Sequence, residues 1–189
     1  MNRAAFYKVV RSKLGALKQS QVEGFEAVLD AVEGLPLSWQ AYALATAWHE
    51  TAKTMLPVRE AYWVNEEWRK KNLRYHPFYG RGYVQLTWYF NYLKADEECT
   101  KKGLIKRGDI LYNLDVAMDP KVAAYILREG MEKGWFTSKS FASYLPASGT
   151  ATKEQYINAR KIINGTDKDD LIEDYAQVFE RGLRDAGVV

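Results

Sequence analysis

Apolar positions recur at three- and four-residue intervals through most of the chain, which predicts a succession of amphipathic helices. In Ala4 to Leu14 the repeat is carried by Ala5, Phe6 or Tyr7, Val9, Val10 and Leu14, and Gly15 supplies a stop. Ser20 and Glu23 read as a capping box ahead of the stripe Val22, Phe25, Leu29 and Val32, which Gly34 closes. Ser38 is placed to cap a third helix with Trp39, Ala43, Leu44, Ala47 and Trp48 on its apolar positions, ending at His49-Glu50-Thr51. Asp119-Pro120 is a start signal for a helix striped by Val122, Ile126 and Met131 up to Gly134. Two more helices are predicted over Lys153 to Ile163 and Asp170 to Arg184, the latter striped by Leu171, Tyr175, Val178, Phe179 and Leu183.

Between these segments the periodicity weakens. Met55 to Tyr79 reads as a loop holding one short amphipathic helix, and Tyr79-Gly80-Arg81-Gly82-Tyr83 as a turn whose glycines admit positive φ or a close backbone approach. Gln85 to Ala95 is helical in pattern, Gly103 to Leu114 alternates enough to suggest a small hairpin, and Ser143 to Thr152 is a loop. No repeat, linker or low-complexity tract divides the chain, so residues 1–189 are expected to form one mainly α domain, with two lobes possible within it.

Composition narrows the chemistry. Cys99 stands alone, which rules out an internal disulfide or a cysteine zinc knuckle, and only His49 and His76 could add to a zinc site. The net charge of +3 is too mild to imply nucleic acid. No apolar run reaches the ~20 residues that span a bilayer, and Met1 to Leu14 lacks the apolar block of a signal peptide, so a soluble chain beginning in the cytoplasm is expected. Heptads are absent, and a monomer is expected. Aromatic residues exceed what a helical core of this size needs, leaving some to line a groove.

Glu50, at the end of an apolar helix, is the first candidate for chemistry. A carboxylate there is paired or functional unless it reaches water, and taken alone the feature fits a solvated helix-end glutamate better. His49-Glu50 resembles the start of a zinc-protease motif, but Lys53 occupies the position of its second histidine. No serine elbow supports a Ser-His-Asp triad, and Gly80-Arg81-Gly82 lacks the rest of a phosphate loop. Carboxylate chemistry remains, and it needs a second acid about 6.5–9.5 Å away for inversion or about 5–5.5 Å away for retention. Glu60 is the best-placed candidate, with Glu66 and Glu67 behind it on what is more simply a solvated face.

Trp48-His49-Glu50-Thr51, Arg59-Glu60, Tyr79-Gly80-Arg81-Gly82-Tyr83-Val84-Gln85-Leu86-Thr87 and Asn91-Tyr92 together closely resemble the signature of family-19 glycoside hydrolases. That family includes chitinases and many bacteriophage endolysins. Ile162-Ile163-Asn164-Gly165 also resembles its late Asn-Gly motif. The resemblance implies a lysozyme-like fold with a groove between lobes, an inverting mechanism, and neither metal nor other cofactor. It makes Glu50 the general acid, Glu60 the general base and Thr87 a holder of the attacking water. Gln85, Asn91 and Asn164 match positions that bind sugar or water, and Tyr79 and Arg81 join them as binding candidates, although Arg81 is more simply a structural cation.

His49 is expected to be a buried, hydrogen-bonded histidine. One of Trp63, Trp68 and Trp88 at most is expected to stack on sugar. The run Arg69-Lys70-Lys71-Asn72-Leu73-Arg74 is a wet surface that in a wall-degrading enzyme could meet anionic polymer. The expected function is hydrolysis of peptidoglycan β-1,4 bonds by an endolysin held in the host cytoplasm until a separate holin-type protein releases it. Peptidoglycan glycan strands are the expected partner. A chitinase, a lytic transglycosylase and a non-catalytic glycan binder are the alternatives.

Overall fold

The computed structural model describes all 189 residues and is mainly helical. Helix α1 (Arg3–Leu14) is capped by Asn2, whose side chain accepts from the Ala5 amide, and it ends at Gly15 with φ of 86°. Phe6, Tyr7 and Val10 form its buried stripe. Helix α2 (Gln19–Val32) starts ahead of the expected Ser20/Glu23 box. Instead Gln21 Oε1 accepts from the Lys18 amide while its Nε2 donates to the Lys53 carbonyl. That second, long-range bond explains why glutamine rather than serine organises the first turn.

Helix α3 (Leu37–Glu50) also departs from its expected cap. Pro36 occupies the N-cap position, and the Ser38 hydroxyl, fully buried, donates to the Pro146 carbonyl. Every residue from Leu37 to Trp48 except Trp39 is buried, so this helix runs through the core with hardly a solvent face. Ala41, Ala43, Ala45 and Ala47 keep its girth small enough for neighbours to pack on several sides. It ends at Glu50, as the sequence predicts.

After α3 the chain forms strand β1 (Val58–Arg59), helix α4 (Glu66–Asn72) and strand β2 (Arg81–Gly82), where only loops and one helix were expected. The strands pair antiparallel, Val58 with Gly82 and Arg59 with Arg81. Helix α5 (Tyr89–Lys101) begins later than its apolar pattern suggests, because Gln85 and Trp88 sit at φ of 52° and 75° and break any helical run before Tyr89. The expected hairpin over Gly103 to Leu114 is absent. Its centre is helix α6 (Asp109–Tyr112), wound by the buried Asp96 carboxylate, which accepts from the amides of Gly108 and Ile110. A carboxylate reaching two amides of one turn favours helix over a ladder.

Helix α7 (Pro120–Lys133) has the predicted cap: the Asp119 carboxylate accepts from the amides of Lys121 and Val122, worth about 1 kcal/mol. Gly134 ends it in the left-handed region. Helix α8 (Lys153–Ala159) tightens into a 3-10 turn over Arg160–Ile162 rather than continuing to Ile163, and helix α9 (Asp169–Asp185) closes the chain.

One hydrophobic core of 42 buried residues joins these helices. Helix α9 packs along α3 and α1, α2 lies against α7 and α3, and α8 leans on α9. Phe6, Phe25, Phe179 and Trp48 meet edge-on, tilted or stacked where α1, α2, α9 and α3 converge. The β1–β2 ladder and α4 lie beyond the carboxyl end of α3. No helix is long and apolar enough to cross a membrane.

The turn leaving α3 is pressed against α2 at Gly24, where a Cβ would stand 1.7 Å from the Met55 carbonyl oxygen. That oxygen belongs to backbone and cannot move alone. Gly24→Ala is expected to destabilise the protein by about 3 kcal/mol, at the upper end of overpacking costs, as measured by urea unfolding. An unchanged midpoint would show that the turn yields freely.

Candidate active site

Glu50 emerges from α3 just as that helix leaves the core. Beyond it the Thr51 hydroxyl donates to Ala47 carbonyl and accepts from the Met55 amide, while the Lys53 amide donates to Trp48 carbonyl. Ala52, Lys53 and Met55 all take positive φ, which L-residues adopt only when their surroundings compel it. The helix is thereby stopped sharply, with Glu50 as its last residue. Its carboxylate is neither a solvated helix-end group nor an unpaired buried one. Oε1 accepts from Arg160 Nη1 at 2.7 Å, and Oε2 has no protein partner. Arg160 is only 3% exposed and is aligned by a second bond, Nε donating to the Asp167 carbonyl.

Glu60 follows β1, and its backbone continues the ladder, its amide donating to Gly80 carbonyl at 2.7 Å. The side chain turns back onto the same residue: Oε2 accepts from the Gly80 amide at 3.0 Å and Oε1 from the Tyr75 hydroxyl at 2.8 Å. Burial and the bond to Glu60 push the Tyr75 phenol up to about 12, so it remains a proton donor at neutral pH. The Glu60 backbone is fixed from behind by Arg69, whose guanidinium donates to the carbonyls of Glu60 and Ala61. Arg69 is 3% exposed and so does not belong to the wet basic face expected for 69–74.

The hairpin carrying Glu60 is clamped by Asp115, which pairs with Arg59 on β1 and Arg81 on β2. Arg81 also donates to Pro77 carbonyl and the Tyr92 hydroxyl, and its guanidinium lies 3.9 Å from the centre of the Tyr79 ring. Partial burial pushes the Asp115 carboxyl up, but its bonds to Arg59 and Arg81 outweigh this and hold it below the usual carboxylate range. Gln85 reinforces the ladder, Nε2 donating to the carbonyls of Val58 and Gly82.

Glu50 and Glu60 face one polar cleft of about 470 Å³. Of the other residues singled out in the sequence, Gln85, Thr87, Asn91 and Asn164 line it as well. The Thr87 hydroxyl donates to Gln85 carbonyl, and Asn91 Nδ2 donates to Thr87 carbonyl. Asn164 Oδ1 accepts from the Gly165 amide, leaving its Nδ2 free. Tyr79 and Arg81 lie behind the cleft wall, buried in the clamp, with Tyr79 donating to Glu66.

Glu66 is outside the cleft lining. Burial raises its carboxyl, but bonds from Tyr79 and His76, together with Arg69, hold it below the usual range. Glu67 is exposed on α4. Among the three tryptophans only Trp88 lines the cleft; Trp63 and Trp68 face solvent. His49 is half-buried rather than buried and makes no side-chain hydrogen bond. Burial lowers its imidazole, so it is uncharged at neutral pH.

Arg160 and Tyr75, the partners of the two carboxylates, were not singled out in the sequence. A carboxylate ending an apolar helix calls for a cation, but no spacing rule selects Arg160, 110 positions away. Tyr75 sits in an aromatic run whose members are individually indistinct. Arg74, Val84, Phe136 and Ile163 make up the rest of the cleft walls. No group of three or more His, Cys, Asp or Glu side chains is arranged to hold a metal ion. Comparison with family models, curated proteins and solved structures finds no match for the chain.

The Asp115 clamp yields a pH prediction. A carboxyl lowered by folding contributes stability above its unfolded value, about 3.9, and loses it as pH falls through the folded value. Asp115→Asn is expected to cost about 1 to 2 kcal/mol at pH 7, discounted for partial exposure, with the deficit shrinking below about pH 4. Urea unfolding of both proteins at pH 7 and pH 3 measures it. An equal deficit at both would mean that the carboxylate charge contributes nothing.

Proposed function

We propose that this protein hydrolyses β-1,4 glycosidic bonds of bacterial peptidoglycan, as an endolysin with the lysozyme-like fold and inverting chemistry of family-19 glycoside hydrolases. The observation that carries the reading is the meeting of Glu50 and Glu60 in one cleft with contrasting partners, a buried arginine for one and two neutral donors for the other. These are the two acids that the sequence resemblance nominates.

In the proposed reaction Glu50 donates its proton, carried on the unpartnered Oε2, to the glycosidic oxygen as the bond to C1 breaks. Negative charge then grows on Glu50, where Arg160 is placed to stabilise it. On the opposite face of the sugar a water attacks C1 and gives its proton to Glu60. Tyr75 and Gly80 orient that carboxylate while leaving each oxygen a further lone pair. The Thr87 hydrogen is committed to Gln85 carbonyl, so its oxygen is free to accept the water's other hydrogen. Free amide donors at Asn164 and the polar cleft around Asn91 suit the alternating acceptors and donors of a glycan. The same reading stores the enzyme in the host cytoplasm until a holin-type protein releases it to the wall.

Release of reducing ends from purified peptidoglycan, with chitin oligosaccharides in parallel, tests the reading. Glu50→Gln is expected to stay folded by circular dichroism and to lose about 10²- to 10⁴-fold in rate. Tyr75→Phe, which removes one donor to Glu60, is expected to lose about tenfold, and Thr87→Ala less than Glu50→Gln. The newly formed hemiacetal should be the α-anomer by NMR. Cleavage of chitin alone would make the protein a chitinase, and a non-reducing anhydro product would make it a transglycosylase. Binding without cleavage of either substrate would leave a glycan-binding protein.

A further inference from the structure

Five arginines stand in or around the cleft, and four of them are consumed. Arg59 and Arg81 share Asp115, Arg69 holds the Glu60 and Ala61 carbonyls, and Arg160 holds Glu50. Arg74 differs. It is the one cationic side chain among the lining residues, it is exposed, and it has no hydrogen-bond acceptor or carboxylate partner in the protein. It is not loose, however. Its guanidinium lies 5.3 Å from the centre of the Trp88 ring, within the range of a cation–π contact, and Trp88 itself is set edge-to-face against Tyr75 at 5.0 Å.

A contact of this kind restrains the position of the guanidinium while leaving its N–H groups unengaged, and a carboxylate matches that fork in a bidentate fashion. The rest of the lining offers no competing cation, and Arg160 behind it is already satisfied by Glu50. A neutral β-1,4 glycan has nothing that requires a free cation at this point. A wall glycan does, because every second sugar carries a lactyl ether that ends in a carboxyl group or continues into a peptide with carboxylates of its own.

We propose that Arg74, held on Trp88, is a binding subsite for a carboxylate borne on a substituent of the glycan strand, and that it sets the preference of the cleft for acidic over neutral β-1,4 glycans. The inference rests on the glycosidase reading above for its substrate but not for its test. The carboxylate is either the lactyl group itself or an acidic residue of the attached peptide.

The experiment is calorimetric binding to the Glu50→Gln protein with Arg74 intact, as Arg74→Gln and as Arg74→Lys, together with kcat/KM for the same Arg74 series in the otherwise wild-type protein. Four probes are used: peptide-bearing glycan strands, strands freed of peptide by an amidase, peptide-free strands with their carboxyls blocked as methylamides, and chitohexaose. With Arg74, free-carboxylate strands are expected to bind about tenfold better than blocked strands or chitohexaose, a ratio worth about 1.4 kcal/mol. The ratio should fall close to one in Arg74→Gln, be only partly kept by Arg74→Lys, and shrink with added salt. In kinetics the loss should appear mainly in KM.

A preference shown by the peptide-free strands assigns the lactyl carboxylate, and one shown only by peptide-bearing strands assigns the peptide. Equal losses on all four probes, or a ratio unaffected by Arg74→Gln, would overturn the subsite. Arg74-dependent binding without cleavage by the wild-type protein would retain the subsite and dismiss the glycosidase. Cleavage with no dependence of the ratio on Arg74 would do the reverse.

Discussion

The constraint on which the cleft depends is the enclosure of α3. A helix buried on nearly every face has its direction fixed by its neighbours, and its last residue can reach the surface only where those neighbours stop. Glu50 is that residue. Small side chains along α3 allow α9, α2 and α7 to close around it, and the Gly24 contact with Met55 folds the chain away directly afterwards. The position of the first carboxylate therefore follows from core packing, with the Arg160 ion pair fixing its rotamer. The arrangement is also a fastening between the end of α3 and the turn after α8.

The second carboxylate is placed by different means. Buried Tyr79, Tyr83, Val84 and Leu86 back the strand opposite Glu60, but two residues of antiparallel pairing are too few to define a hairpin alone. Charged and amide side chains supply the missing order: Asp115 ties both strands together, Gln85 spans Val58 and Gly82, and Arg69 caps the carbonyls beyond β1. Positive φ at Ala61, Gln85 and Trp88 is the conformational cost of the tight path this requires. One wall of the cleft is therefore set by burial and the other by a polar network that responds to pH and salt.

This division explains what the sequence discloses. Helices that bury a stripe leave a 3.6-residue period, and those of α1, α2, α3, α7 and α9 are readable within a few residues, as is the Asp119-Pro120 start. Caps are harder, because Ser38 and Gln21 answer to Pro146 and Lys53 far away in the chain. Gly103 to Leu114 misleads for the same reason: the side chain that winds it is Asp96, in a different helix. The β1–β2 ladder leaves no period at all, since two residues cannot alternate. At the cleft, Glu50, Glu60, Gln85, Thr87, Asn91 and Asn164 are nominated by motif, whereas Arg160 and Tyr75 emerge only in three dimensions.

The contrast between the two carboxylates is the step that joins structure to chemistry. An acid that releases a proton needs its anion stabilised afterwards, and a buried guanidinium with a second anchor does that without reorganising. A base that accepts a proton from water needs orientation more than charge, and a backbone amide and a phenol fix its plane while adding no cation to compete for its lone pairs. Exchanging the partners would spoil both roles: a guanidinium on the base would weaken it as a proton acceptor, and neutral donors on the acid would leave its departing charge poorly balanced. In the proposed reading Glu50 as acid and Glu60 as base are nominated by the sequence resemblance, and the partners add that a guanidinium stands ready for charge on one carboxylate while neutral donors orient the other.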